Sequence, residues 1–166
     1  VLEEFMGVPT HPLLIHAAVV FVPLLAILAI AYALVPFVRP HIRWVLGLLA
    51  LAAPIYALLA KLSGDAFFAR LQSRNRVSPE FYPKLQAHQR FGTLTLYATI
   101  VLALLTLALV YFVGPRVAAG RAAGGAGSAR VLSLVLVALS LVAAAVSLYY
   151  VVRTGDSGAK AVWTGS

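Results

Sequence analysis

The sequence predicts an all-α integral membrane protein: a four-helix bundle built as two helical hairpins, with a short interfacial helix between helices 2 and 3. Three observations lead there. Hydrophobic residues make up 62% of the 166-residue chain and charged residues 11%, against roughly 45–50% and about 25% in ordinary globular domains, too few polar side chains to cover a soluble surface. Four stretches, Leu13–Val38, Trp44–Ala60, Phe91–Pro115 and Val131–Val152, contain no Asp, Glu, Lys or Arg, and a hydrocarbon core of about 30 Å needs about 20 helical residues. Proline, glycine and arginine mark the gaps between these runs. The chain, 1–166, is read as one membrane domain with spans near 12–38, 43–63, 86–113 and 130–154.

Taken in order, the first run is too long for the apolar part of a signal peptide and has no basic segment before it, so the helix is expected to be retained. Pro36 and Pro40 are expected to end it, because proline lacks the amide that continues a helix. The second run is short, and Lys61 extends it by lifting its ammonium to the interface. Pro23 and Pro54 fall inside spans and are expected to kink them. In the segment 64–82, Phe67, Phe68 and Leu71 share one helical face beside Arg70 and Arg74, the pattern of a helix lying in the interface plane. Gly114-Pro115 is expected to end the third helix, and Arg121–Ser128 (RAAGGAGS) reads as a low-complexity connector.

Four spans place both termini and the middle segment on one side. The short connectors on the other side carry Arg39, Arg43, Arg116, Arg121 and Arg130 with no acid. Positive charge in short loops sets orientation and acids count little, so both termini are expected on the outer side of the membrane. The net charge of +8 is then explained by topology and anionic lipid headgroups rather than by nucleic acid.

In lipid, small and polar residues reveal which helix face is buried. Ser133, Ser140, Ser147 and Thr154 recur at steps of seven; so do Gly47, Pro54 and Lys61; and His88, Gly92, Thr95, Thr99 and Thr106 fall near one stripe. Close packing accounts for the hydroxyls. The ionisable residues suggest more. Lys61-Leu-Ser63-Gly64-Asp65 and Arg153-Thr154-Gly155-Asp156 each run base, hydroxyl, glycine, aspartate, while His16 and His88 each lie early in a span. The chain thus reads as two hairpins, each entering at a histidine and leaving at hydroxyl–Gly–Asp, an arrangement related by an axis along the membrane normal. Such an axis puts His16, His88, Asp65 and Asp156 at one depth, with His11 about one turn above. Read as plain structure, Gly64-Asp65 and Gly155-Asp156 are helix C-terminal caps.

Gly7-Val8-Pro9-Thr10-His11-Pro12-Leu13-Leu14-Ile15-His16 resembles the opening signature of the bacterial membrane family called domain of unknown function 2231. Gly155-Asp-Ser-Gly158-Ala-Lys-Ala-Val-Trp163, the Ser63-Gly64-Asp65 segment and His88 after a basic loop fit the same pattern. The resemblance implies a four-helix membrane protein. It also implies an electron-transfer setting, because some members are joined to Rieske-type domains. It carries no established activity.

Three functions compete. A b-type haem needs two imidazoles on different helices facing one another: His16 and His88 are the candidate ligands, Gly92 makes room for the ring, Asp65 and Asp156 accept the imidazoles' other N–H, and His11 meets a propionate. A divalent metal site, for zinc or copper, would draw on His11, His16, His88, Asp65 and Asp156; His11 and His16 are five apart, so both could join only if His11 lies outside the helix. The third reading is a structural or accessory subunit without cofactor. The implied partners are the lipid bilayer, a redox protein or quinone, and a second copy in a homo-oligomer. No nucleophile elbow, phosphate-binding loop or HExxH is present, so any chemistry would be redox chemistry borrowed from a cofactor. The absence of cysteine excludes iron–sulfur ligation and covalent c-type attachment.

Overall fold

The structure is a computed structural model describing residues 4–5, 8–113 and 126–163. Two short antiparallel strands, β1 (Glu4–Phe5) and β2 (Val8–Pro9), precede four long helices: α1 (Thr10–Leu34), α2 (Arg39–Ser73), α3 (Tyr82–Phe112) and α4 (Ala126–Trp163). All four are long and apolar enough to cross a membrane. Each packs along its neighbours in the order α1–α2–α3–α4 and back to α1, while α1 and α3 barely touch across the diagonal. Gly114-Pro115 and most of the Arg121–Ser128 connector lie outside the described residues.

The first turnaround is tighter than expected. A single 3-10 turn, Pro36–Val38, joins α1 to α2. Pro40 does not end α1; it sits in the first turn of α2, where its missing amide would have had no intrahelical partner. Arg39 reaches back and donates from Nε to the Tyr32 carbonyl (2.8 Å) and from Nη2 to that of Ala33 (2.9 Å). These are carbonyls that the end of α1 leaves open, and the cation meets the negative end of the helix dipole.

The expected interfacial helix is instead the last turns of α2. Gly64-Asp65 does not cap the helix, which continues to Ser73, and α4 likewise runs through Gly155-Asp156 to Trp163. An i,i+4 ion pair spans the first expected break, Lys61 with Asp65, and another follows directly on the second, Asp156 with Lys160. The real stop is at Asn75, whose φ of 51° is left-handed. The Asn75 amide donates to the Gln72 carbonyl and the Arg76 amide to that of Leu71, both at 3.0 Å. This is the Schellman pattern, with asparagine in the place glycine usually takes.

The buried faces repeat. The shift that carries His11 onto His88 carries Val22, Leu25, Ala26, Ala29 and Tyr32 of α1 onto Thr99, Leu102, Ala103, Thr106 and Leu109 of α3, and all ten are buried. The shift that carries Ser63 onto Ser157 carries Leu46, Leu49, Ala50, Ala53 and Ala57 of α2 onto Ser140, Ala143, Ala144, Ser147 and Val151 of α4, again all buried. The α1–α2 and α3–α4 pairs therefore bury corresponding positions. The phase of this correspondence is not the one the hydroxyl–Gly–Asp match suggested: Ser63-Gly64 corresponds to Ser157-Gly158, not to Thr154-Gly155.

Asn75 gives a direct check on the α2 stop. Asn75→Gly should leave thermal stability in detergent unchanged or slightly raised, whereas Asn75→Val should lower it by about 1–2 kcal/mol, the cost of a β-carbon in the left-handed region.

Candidate functional site: a bracketed pair of imidazoles

His11 lies in the first turn of α1 and His88 in the second turn of α3. Both point inward at the same end of the bundle. Their ring centroids are 6.4 Å apart and their planes are inclined by 75°. The phase of α1 selects His11 over His16. Because α1 begins at Thr10, both histidines are helical, and five residues turn them well apart. His16 consequently faces outward, exposed, and its Nδ1 donates to the Pro12 carbonyl one turn back. The structure thus brings His88 together with His11 and not with His16.

Each imidazole is held by the neighbouring helix in the same way. His11 Nδ1 lies 3.0 Å from the Ala60 carbonyl and 3.1 Å from Ser63 Oγ, and Ser63 donates its own hydroxyl proton to Ala60 (3.0 Å). His88 Nδ1 lies 3.0 Å from Ser157 Oγ, which donates its proton to the Thr154 carbonyl (3.0 Å). A carbonyl oxygen only accepts, and a serine whose hydrogen is already given away can only accept as well. Both neutral imidazoles must therefore carry their proton on Nδ1. Nε2 is left as a lone-pair nitrogen, with no hydrogen-bond partner among the described residues.

Glycine permits this close approach. A β-carbon on Gly64 would lie 2.8 Å from His11 Cε1, and one on Gly158 would lie 2.9 Å from His88 Cε1. Each Ser-Gly dipeptide thus supplies one acceptor and one bare patch of helix against which an imidazole lies. Phe67 covers His11 from the side, stacked with an interplanar angle of 18°.

The aspartates are engaged elsewhere. Asp65 takes Lys61 on Oδ2 and Gln89 Nε2 on Oδ1 (3.1 Å). Asp156 pairs with Lys160 at the surface. The part of holding the imidazole N–H falls to serine and carbonyl oxygens instead. Gly92, expected to open space near His88, does have open surroundings: an added β-carbon there meets nothing within 4 Å. Among the described residues no group of three or more His, Cys, Asp or Glu converges as a metal cage would. Sequence reasoning missed Ser157 and Gly158 as site residues, and it took Ser63 and Gly64 for a helix end. The signal was available, since Ser-Gly occurs twice in the chain, at 63–64 and 157–158.

Substitution of the glycines separates the two kinds. Gly64→Ala and Gly158→Ala should each destabilise the protein by about 1–3 kcal/mol through overpacking against an imidazole. Gly92→Ala and Gly155→Ala, which meet open space, should be neutral or stabilising by up to about 1 kcal/mol from helix propensity. Chemical or thermal unfolding in detergent reads the difference.

Searches among curated proteins and among solved structures returned no match. A family model described as "Predicted membrane protein (DUF2231)" matches residues 7–166, from before the strand that leads into His11 to beyond the glycine against which His88 rests. The chain belongs to that family of predicted membrane proteins, whose description names no activity.

Proposed function

We propose that the protein binds a b-type haem through His11 and His88 and passes single electrons within the membrane. The observation that carries this reading is a pair of neighbouring imidazoles, 6.4 Å apart between ring centroids, whose Nδ1 atoms are already tied down so that each Nε2 keeps its lone pair. Fixing the far nitrogen is how proteins set the tautomer and the ring orientation of a metal-binding histidine. At 6.4 Å between ring centroids, His11 and His88 are near enough that both would hold one bound metal centre. Gly92 leaves open space one turn along from His88. When bound, haem would supply a one-electron couple with two histidine ligands. The chain's own residues do the rest. Ser63 and Ser157 orient the ligands, Gly64 and Gly158 let them lie against the neighbouring helices, and Phe67 shields one imidazole face. Electron exchange with a redox protein or a quinone would run through this end of the bundle, in an inner membrane with both termini outside.

A second reading, a single metal ion held by the same two imidazoles, rests on their 6.4 Å centroid separation. Two imidazoles alone suit a linear copper(I) site better than tetrahedral zinc, which takes four ligands in structural sites.

Absorption spectra of detergent-purified protein from haem-supplemented cells test both. The haem reading predicts a Soret band with sharp reduced α and β bands, lost in His11→Ala and in His88→Ala and retained in His16→Ala. A colourless protein overturns it, and stoichiometric copper in that preparation would establish the second reading.

A further inference from the structure

Two helices measure the membrane independently. Arg43 and Lys61 bound the uncharged stretch of α2, 18 residues apart, and Arg130 and Arg153 bound that of α4, 23 residues apart. At about 1.5 Å of rise per residue these are about 27 Å and about 35 Å, on either side of a hydrocarbon core of about 30 Å. Lys61 and Arg153 therefore mark the bilayer boundary on the side of the termini. His11 bonds at Ala60 and Ser63, and His88 at Ser157, so the imidazole pair lies at that boundary.

The helices do not stop there. α2 runs on to Ser73 and α4 to Trp163, and α3 begins at Tyr82. Lipid headgroups add only about 5–8 Å to each side of the core. Along α2, Arg70 lies about 14 Å beyond Lys61 and Arg74 about 20 Å beyond, so this end of the bundle stands in water and Arg74 is out of reach of lipid phosphates. The projection is strongly basic. From Ala66 to Arg90 the chain carries Arg70, Arg74, Arg76, Lys84 and Arg90 against one acid, Glu80. Arg74, Arg76, Lys84 and Arg90 are exposed. Ala66, Ala69 and Ser73 are short and leave an open groove lined with Arg70 and Arg74. On the same projection Tyr82 packs on Phe68, with ring centroids 5.8 Å apart, and is still 41% exposed. Arginine and tyrosine are the side chains in which protein interfaces concentrate binding energy, and guanidinium groups pair two-pronged with carboxylates.

We propose that the projection formed by residues 66–90 is the docking surface for an acidic, water-soluble protein that meets the imidazole pair from the aqueous side. Arg90 follows His88 by two residues, and Phe67, which stacks on His11, precedes Arg70 by three, so the surface adjoins both imidazoles. Only the partner's redox role rests on the electron-transfer reading; the docking needs no bound haem. Opposite charges steer such a partner in and make its association fast and salt-sensitive, which suits the small, short-lived contacts of electron-transfer pairs.

The test uses the whole chain in discs of zwitterionic lipid, with two folded redox proteins of opposite charge as probes: an acidic ferredoxin and a basic cytochrome c. Interferometry reads association without any cofactor in the chain, so a colourless preparation, which would end the haem reading, leaves this test intact. The ferredoxin should bind at low salt and the cytochrome should not. Arg70→Gln/Arg74→Gln should slow ferredoxin association by at least about fivefold. Arg43→Gln/Arg130→Gln, which removes equal charge from the opposite end, should leave it unchanged. Equal slowing in both double variants would mean that net charge alone is read, and loss of co-purifying anionic phospholipid in Arg70→Gln/Arg74→Gln would make lipid the occupant. Either result, or no ferredoxin binding at all, overturns the proposal.

Discussion

The rest of the structure depends on the hydrogen bonds that tie two imidazole Nδ1–H groups to the neighbouring helices. His11 bonds to α2 and His88 to α4, so the opening turns of α1 and α3, the first and the second respectively, are fixed against the later turns of their partners. That explains why α2 and α4 do not stop at their Gly-Asp steps. The serine acceptors and the glycine patches must both lie within continuous helix, since only there do Ser63 and Gly64, or Ser157 and Gly158, face the same neighbour. The ion pairs Lys61–Asp65 and Lys160–Asp156 span these stretches. They are helix supports, not members of the imidazole pair.

The two halves bury corresponding positions but not the same residues. Alanines fill much of the α2 face, whereas α4 offers Ser140 and Ser147 at the positions of Leu46 and Ala53. Tyr32 of α1 stands where α3 has Leu109, and Thr99 and Thr106 of α3 stand where α1 has Val22 and Ala29. Polarity is thereby concentrated on the α3–α4 side. Phe67 likewise covers His11, while the matching place beside His88 is taken by Ala161. Identical brackets thus hold two imidazoles in different surroundings, which makes their lone pairs chemically unequal even though their geometry is nearly the same.

Much of the architecture was legible, because a membrane span must satisfy its own backbone and so shows itself as an uninterrupted apolar run. The four helices, the proline-marked turnaround and the inward hydroxyl stripes all follow from that. Local ambiguity defeated the rest. Whether His11 or His16 faces inward turns on the residue at which α1 starts, and one residue of phase rotates a side chain by about 100°. Gly64 and Gly158 look the same in sequence whether they end a helix or make room on its face. The end of α2 went unseen because Asn75 takes the left-handed position usually held by glycine. Ser157 escaped notice because a nearby Thr-Gly-Asp offered a closer match to Ser63-Gly64-Asp65 than the true counterpart did.

The most direct measurement is the ring-nitrogen spectrum of ¹⁵N-histidine-labelled protein in detergent at mildly alkaline pH, assigned with His11→Gln and His88→Gln. The account predicts that both imidazoles are protonated on Nδ1, with Nε2 carrying the lone pair. That form is the minor one for free histidine, so its appearance at both positions would not be accidental. Finding the proton on Nε2 of either ring would contradict the bracketed pair and remove the basis for ligand binding between them.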